Sequence, residues 1–472
     1  MPTMRIEHDL LGEKPVPDEC YYGIQTMRAV ENFDITGIPI SHYPQLIFSL
    51  AQIKQAAALA NRDLSLLDAH IADAIVRAGD EILAGKYLDA FVVDVIQGGA
   101  GTSTNMNANE VIANIALTRA GYAKGRYAVI HPLNHVNMSQ STNDVYPTAL
   151  RLTLSKLLDN LMNEMRHLQE TLAAKGAEFS DVIKMGRTQL QDAVPMTLGQ
   201  EFDAYAIMVG EDIQRVREAQ ALIHEINMGA TAIGTGLNAH PDYAPLVTAK
   251  LREITGIPVV QSPNLVEATQ DAGAYVQLSG VLKRVAVKLS KICNDLRLLA
   301  SGPRAGLGEI NLPPMAPGSS IMPGKVNPII PEVVNQVAFE VIGNDVTVTM
   351  AAEAGQLELN VMEPVIAYNL FTSIDMLGRA CRTLADRCVR GITANRERAR
   401  KMVEHSIGLV TALNPVIGYD KSSEVAHAAL ISGRSVYEIV LEKGYLTKQA
   451  LDDLLSPESM IRPKYLNRLP EN

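Results

Sequence analysis

The chain has 472 residues, of which 47% are hydrophobic, so it is long enough to bury a large core. A formal net charge of -10, the absence of tryptophan and the lack of any basic run argue against nucleic acid and anionic membranes as partners. No apolar run reaches the roughly 18 residues of a membrane span, and MPTMRIEHDLLGE is too charged for a signal peptide, so we expect a cytoplasmic protein.

Prolines and glycines divide the first third of the chain, which predicts short helices and extended pieces, with long helices beginning near Asn143. Two polar segments lie in this region: QGGAGTSTNMN at 97–107 and SQSTND at 139–144. Each offers hydroxyl, amide and backbone N–H groups at a turn that leads into a helix, where unpaired first-turn N–H groups favour an anion. Either segment alone would be interpreted as a helix cap.

Five long segments without proline follow, at 148–194, 196–240, 264–302, 332–363 and 365–414. Long helices are expected there, because proline breaks helix interiors. Apolar residues recur at helical spacing in the first and third segments, which predicts a bundle: Leu150, Leu154, Leu157, Leu158, Leu161, Met165, Leu168 and Leu172, then Tyr275, Leu278, Leu282, Val285, Leu289, Ile292 and Leu296. The stretch 332–356 is apolar on nearly every side, which predicts a helix enclosed by others, some from other subunits.

The central region carries two more polar segments, MGRTQLQDAVP at 185–195 and GSSIMPGKVNP at 318–328. The first is expected at a turn leading into a helix. The second combines paired serines, a Pro-Gly bend and a lysine in a short stretch, which suits a mobile loop whose hydroxyl acts as a base beside a cation. Four such segments in one chain favour a single site for a small anion over four separate caps.

The C-terminal residues form a separate region. Asn414-Pro415 is predicted to break a helix, 418–423 to form a turn, and Leu446-Thr447 to introduce a capped helix over KQALDDLLS. We therefore predict an all-α chain of three domains. They are a mainly helical N-terminal domain at 1–142, a central bundle of long helices at 143–397 and a small helical domain at 398–472.

Nucleotide and metal sites do not fit the sequence. Five residues separate the glycines of GSSIMPG and valine follows Gly-Lys, so the phosphate-loop spacing fails, and GATAIGTG at 229–236 does not match GxGxxG. His224-Glu225 lacks the second histidine of a zinc protease. The four cysteines form no CxxC pair. We expect neither a cofactor nor a metal.

The stretch GSSIMPGKVNP resembles the signature of the aspartase/fumarase superfamily, lyases that form or consume fumarate. The resemblance runs from Arg5-Ile-Glu to Leu446-Thr and includes YYGIQTMRAVENF, ICNDLRLLASGPRAGLGEINLP and TMAAEAGQLELNVMEPV. It implies the three-domain lyase fold and a homotetramer with a common multi-helix core. It also implies active sites that each take loops from three chains, and a small dicarboxylate as substrate.

Two positions favour the ammonia-lyase branch of the superfamily. Fumarate hydratases typically read GRTH and QSSND where this chain has Gln189 and Thr142. The resemblance therefore implies reversible deamination of L-aspartate to fumarate and ammonia, with hydration of fumarate to malate as the alternative. A neutral glutamine cannot act as a general acid, which suits a substrate whose amino group is already protonated as ammonium and needs no further proton in order to leave.

The resemblance also implies residue roles, carried over position by position. Ser319 is expected to take the C3 proton, helped by Lys325 and by backbone N–H groups that the Pro323-Gly324 bend frees. The implied substrate-binding residues are Thr102, Ser141, Thr142, Asn143, Thr188, Gln189, Ser320 and Asn327. Two questions stay open: whether 131–137 is a second acid-binding segment or a capped turn, and whether Arg28 and Glu363 act near the site or form a surface ion pair and a buried cap.

Overall fold

The computed structural model describes residues 3–456 and residue 459, and its secondary structure is mainly helical. This confirms the predicted all-α class. None of the helices in this part of the chain has both the length and the apolar character needed to cross a bilayer. The helices are α1 Ile24–Asn32, α2 Pro44–Asp63, α3 Ala69–Leu83, α4 Thr102–Arg119, α5 Thr142–Glu178, α6 Leu198–Leu222, α7 Tyr243–Thr255, α8 Leu265–Gln270, α9 Gly273–Leu299, α10 Ile329–Glu353, α11 Glu363–Arg387, α12 Arg396–His405, α13 Leu409–Ile417, α14 Tyr419–Ser432, α15 Val436–Glu442 and α16 Lys448–Leu454.

The strands pair two by two and form small sheets. Three pairs are antiparallel and the pair β5 with β6 is parallel. The pairs are β1 Met4–Asp9 with β2 Gly12–Pro17, β3 Ile183–Thr188 with β4 Gln191–Thr197, β5 Glu225–Ile226 with β6 Val260–Gln261, and β7 Ile310–Asn311 with β8 Thr393–Ala394.

The chain divides into two compact units. The first unit takes its residues from 1–162, 214–284 and 340–376, and the second from 163–213, 285–339 and 377–472. The predicted domain limits at 142 and 397 lie close to the beginnings of α5 and α12. The three-domain division stays a prediction.

The long helices follow the predicted apolar spacing. Helix α5 begins at Thr142, one residue from the predicted start, and the predicted apolar face of α9 is buried throughout. On α5 the predicted face is buried except for Leu157, which is half-buried. Helix α10 differs, because Phe339, Val346 and Met350 are 64%, 56% and 67% exposed within the single chain.

Local predictions are wrong in two regions, the first third of the chain and the C-terminal region. The first third contains long helices, since α2 spans 20 residues and α4 spans 18. Pro44 does not shorten α2, because it occupies the first helical position, where a missing N–H costs nothing. In the C-terminal region Pro415 lies inside α13, close to its end at Ile417, and α14 occupies most of the predicted turn. The predicted helix after Thr447 is confirmed, with the Thr447 hydroxyl accepting the Ala450 N–H.

Candidate active site

The serine loop, residues 318–328, leads into α10 and is closed by its own backbone. The Gly318 N–H donates to the Lys325 carbonyl oxygen at 2.8 Å, and the Asn327 side-chain amide donates to the Gly318 carbonyl oxygen. Gly324 has a φ of +80°, a left-handed conformation that glycine adopts without steric cost. The loop is therefore fixed at its base and exposed at its tip.

The hydroxyl of Ser319 lies where two backbone N–H groups converge. The Ile321 N–H donates to Ser319 Oγ at 3.2 Å and the Met322 N–H donates to it at 3.0 Å. Serine turns use the same contacts, but no helix begins here, since α10 starts only at Ile329. Two donors on one oxygen stabilise a negative charge there more than they stabilise the neutral hydroxyl.

Lys325 is the cation of the serine loop. Within the described part of the chain, the Lys325 ammonium makes no hydrogen bond and no ion pair, and its side chain is exposed. Its charge is therefore available to an anionic ligand or to a developing oxyanion.

Thr188 and Gln189 lie at the tip of the β3–β4 hairpin. Thr188 pairs with Gln191, and Gln189 and Leu190 form the two-residue turn with φ values of +56° and +62°. Such turns usually carry Asn or Gly, because other side chains are strained at positive φ. Strain of this kind clusters at functional sites. The expected turn into a helix is thus wrong: the segment is a hairpin, and α6 begins only at Leu198.

A buried ion-pair network holds the base of this hairpin. Arg187 donates two hydrogen bonds to the Glu309 carboxylate, at 3.1 and 3.0 Å, and Glu309 is 1% exposed. Lys184 lies 3.7 Å from Glu309 and donates to Glu201 at 2.6 Å. Bidentate pairs fix geometry as well as charge. The network therefore holds the strained turn in place.

A glycine-rich turn places Thr102 at the first position of α4. The Thr102 hydroxyl donates to the Gly99 carbonyl oxygen at 2.7 Å, and the Gln97 side chain caps the helix by accepting the Thr104 N–H at 2.9 Å. Gly101, with a φ of +87°, packs directly on a tyrosine ring. The turn therefore needs glycine for two reasons, its backbone conformation and its close packing.

Gly101→Ala is expected to lower the free energy of unfolding by about 3 kcal/mol, because a Cβ there overlaps the Tyr146 ring and the backbone is left-handed. Gly99→Ala is the matched control. Its φ is +92°, but a Cβ would meet Thr102 only at 3.7 Å, so the loss should be about 1 kcal/mol. Denaturant midpoints of the two variants check this, and equal losses would contradict the packing argument.

Ser141 and Asn143 lie at the start of α5 and have partners of their own. Ser141 Oγ accepts the Asn143 N–H at 3.2 Å, which is a helix cap. Pro147 has no N–H for the Asn143 carbonyl oxygen, and the Asn227 side chain donates to that oxygen instead, at 2.9 Å. The Asn143 side-chain nitrogen donates to Ala232 at 2.7 Å, which leaves its amide oxygen as an acceptor for a ligand cation.

Two buried charges next to this segment were not predicted. Lys54 and Asp144 are both 0% exposed. Loss of water on burial lowers the pKa of Lys54 to about 7 and raises the pKa of Asp144 to about 7. The negative charge of Asp144 opposes the shift of Lys54, and the positive charge of Lys54 opposes the shift of Asp144. Asp144 also accepts backbone N–H groups from Ser141, Gly229 and Thr231. A lysine inside the alanine-rich sequence QIKQAAALA was the available signal.

The ten predicted site residues fall into two groups. The first unit holds Thr102, Ser141, Thr142 and Asn143, and there Asn105 in the first turn of α4 donates to Thr142 Oγ1 at 3.1 Å. In the second unit, no hydrogen bond between described residues joins the hairpin tip to the serine loop. That group comprises Thr188, Gln189, Ser319, Ser320, Lys325 and Asn327.

The structure describes the surroundings of the three positions whose roles were left open. Arg28 donates two hydrogen bonds to Asp9, at 2.8 and 2.9 Å, as in the ion-pair interpretation. Glu363 begins α11, and burial raises its pKa to about 8. His131 Nδ1 accepts the N–H groups of Leu133 and Asn134, as in the capped-turn interpretation.

Among residues 3–456 and 459 no cluster of three His, Cys, Asp or Glu side chains suits a metal, and independence from metal stays a prediction.

Known proteins match this chain over nearly its whole length. A family model described as "Lyase" matches residues 12–343, and one described as "Fumarase C C-terminus" matches residues 409–462. A relative from Helicobacter pylori strain J99, named aspartate ammonia-lyase, is 62% identical over 460 residues, 98% of each chain.

Two solved structures are similar in fold as well as in sequence. A fumarate lyase:delta crystallin from Brucella melitensis, bound to cobalt, has a TM-score of 0.95 and 56% identity over 98% of this chain and 100% of that one. A class II fumarase from Schistosoma mansoni has a TM-score of 0.91 and 37% identity, covering 97% of this chain and 99% of that one.

Proposed function

The chain belongs to the aspartate ammonia-lyases of the aspartase/fumarase superfamily, and from that membership we propose how it converts L-aspartate reversibly into fumarate and ammonia. Deamination requires removal of a proton from C3, next to the side-chain carboxylate, and then departure of the amino group from C2. The first step is the harder one, because it leaves a dianionic enediolate. The site must therefore hold donors ready at one carboxylate before the charge develops.

Ser319 takes the C3 proton in this proposal. A serine hydroxyl is too weak a base at neutral pH, and lowering its pKa by roughly 5 units requires about 7 kcal/mol of differential stabilisation. The observation that carries the assignment is the convergence of the Ile321 and Met322 N–H groups on Ser319 Oγ. The Lys325 ammonium, which has no partner among the described residues, supplies positive charge from the same loop. Closure of the loop over the substrate would exclude water and strengthen each contact.

The remaining residues divide between the three polar groups of the substrate. Lys325, Asn327 and Thr188 bind the α-carboxylate. Ser141 and Ser320 donate to the side-chain carboxylate, which becomes the enediolate, and Asn143 and Gln189 accept from the ammonium group. Thr102 also donates to the side-chain carboxylate once its hydroxyl turns from the Gly99 carbonyl oxygen to the substrate. Thr142 is adjacent to both the side-chain carboxylate and the ammonium group. The amino group of the substrate is already protonated, so it leaves C2 as neutral ammonia with the C–N electron pair. No general acid is required, which is consistent with a neutral Gln189.

A homotetramer with active sites shared between three chains is part of the proposal. The exposed apolar side chains of Phe339, Val346 and Met350 on α10 support it, because large apolar surfaces on a helix usually mark an interface. A cytoplasmic location is also proposed. It is supported by Cys293, Cys381 and Cys388, which are buried free thiols.

A product assay tests the function directly. With fumarate and ammonium the enzyme is expected to form aspartate, and with fumarate alone it should form no malate, because no proton-transferring group occupies the Gln189 position. Chiral chromatography identifies the products. Malate formed without aspartate would instead establish fumarate hydration, the alternative activity.

A further inference from the structure

Lys54 lies on α2 with no exposed surface, and its ammonium meets three side-chain amides. Lys54 Nζ donates to Asn105 Oδ1 at 2.7 Å, to Asn137 Oδ1 at 2.9 Å and to Gln140 Oε1 at 2.8 Å. An ammonium has three donors and no acceptor. In the charged form, which the negative charge of Asp144 favours, all three protons of Lys54 are used, and each amide must present its oxygen to the lysine.

This arrangement fixes the orientation of the Asn105 amide. Since Asn105 Oδ1 faces the ammonium, its nitrogen must point away, and it donates to Thr142 Oγ1 at 3.1 Å and to Asn137 Oδ1 at 3.2 Å. A reversed amide would place an NH₂ group against the ammonium and an oxygen against two other oxygens. The buried charge of Lys54 therefore sets the direction of the hydrogen bond that reaches Thr142.

We propose that Lys54 is a positioning residue that, through Asn105, makes the Thr142 hydroxyl a hydrogen-bond donor to the substrate carboxylate. This inference rests on the proposed function. Thr142 Oγ1 already accepts from Asn105, so its own proton points to another partner, which in the site is an anionic oxygen rather than an ammonium group. The Thr142 hydroxyl therefore donates to the side-chain carboxylate of the substrate, which becomes the enediolate, and not to the ammonium group.

The same hydrogen bonds fix the position of the segment that carries Thr142. Asn137 and Gln140 bind Lys54, and Gln140 also donates to the carbonyl oxygens of Val136 and Met138. On the other side Asp144 accepts the Ser141 N–H at 3.0 Å. A displacement of about 1 Å at a substrate contact can cost about 100-fold in rate. Lys54 therefore affects both the position and the polarity of Thr142.

Asn105→Asp reverses the direction of the hydrogen bond between residue 105 and Thr142 while it keeps the size of the side chain. The new carboxylate still accepts from Lys54, but it cannot donate to Thr142 and instead accepts the threonine proton. In the amination direction we expect kcat/KM for fumarate to fall about 10- to 100-fold, with KM for ammonium changed less than about threefold. The matched control is Gln140→Glu, which makes the same charge change at another Lys54 partner. The loss in kcat/KM should be at least about threefold smaller for Gln140→Glu than for Asn105→Asp, because Gln140 donates to the carbonyl oxygens of Val136 and Met138 and the Asn105–Thr142 hydrogen bond stays in place. Equal losses in the two variants would overturn the assignment to Asn105.

A double-mutant cycle tests the connection to Lys54. Lys54→Met and Asn105→Ala should each lower kcat/KM for fumarate, and the combined variant should lose no more than the worse single variant. Independent, multiplying losses would overturn the proposal, as would an Asn105→Asp variant with near wild-type kinetics or with a loss confined to ammonium KM. If Lys54→Met does not fold, the kinetics of Asn105→Asp and Asn105→Ala test the proposal without it. Wild-type aspartate formation in the same assay tests the proposed function separately.

Discussion

Ser319→Ala is expected to lower kcat by at least about 100-fold and by up to about 10,000-fold, because no other group is assigned to remove the C3 proton. The fold should be unaffected, since the hydrogen bonds of the Ser319 hydroxyl to described residues are the two that it accepts from N–H groups of an exposed loop. Steady-state deamination, measured as fumarate absorbance, gives the rate. Circular dichroism and the oligomeric mass establish that the variant is intact.

Ile321→Ala is the matched control for this loop. Ile321 is 83% exposed, and its replacement keeps the N–H that donates to Ser319, so turnover should change by less than about threefold. Comparable losses of turnover in Ser319→Ala and Ile321→Ala would show that any substitution in the loop impairs the enzyme. They would then give no support for a specific role of the serine oxygen. Near wild-type turnover of an intact Ser319→Ala variant would contradict the base assignment outright.

Lys325→Met is expected to lower kcat/KM for aspartate by about 100- to 1,000-fold, the range seen when one preorganised electrostatic contact is removed from an active site. The effect should appear in both substrate binding and turnover, because the ammonium stabilises the α-carboxylate and the serine alkoxide. Inhibition by a non-reactive dicarboxylate such as succinate separates the two contributions. Its inhibition constant should rise in the variant.

Lys448→Met is the control for the loss of one positive charge. Lys448 is exposed at the start of α16, outside the residues assigned to the substrate, and its loss should leave kcat/KM within about twofold. A Lys325→Met variant with unchanged kcat/KM and unchanged succinate inhibition would show that the cation does not face the substrate.

The long helices could be predicted because their signal is local and repeated. On α9 each residue of the predicted face is buried, and the hydroxyl of Thr447 caps α16 as expected. The two errors in the helices come from proline. Pro44 at the first position of α2 and Pro415 near the end of α13 cost few backbone hydrogen bonds.

The β3–β4 hairpin could not be predicted in the same way. Its turn residues, Gln189 and Leu190, are poor formers of a two-residue turn, so the usual Asn-Gly signal is missing. What holds the turn is the buried pair of Arg187 and Glu309, which are 122 positions apart in the chain. Contacts of that range leave no pattern in a single sequence.

The predicted site residues came from composition and from family motifs, whereas Lys54 required the structure. A lysine within an apolar helix has no meaning until Asn105, Asn137 and Gln140 are seen around it. These partners lie on α4, in the 131–137 segment and in the polar segment at 139–144, and only the fold brings them together. Polar residues that act through other residues are therefore the part of a site that sequence patterns miss.

The assignment of Ser319 as the base is tested most directly by a crystal structure of the enzyme with L-aspartate bound. We expect Ser319 Oγ to lie within about 3.5 Å of the substrate C3, with the Ile321 and Met322 N–H groups still donating to that oxygen. A serine oxygen turned away from C3, with a different side chain in contact with the C3 proton, would contradict it.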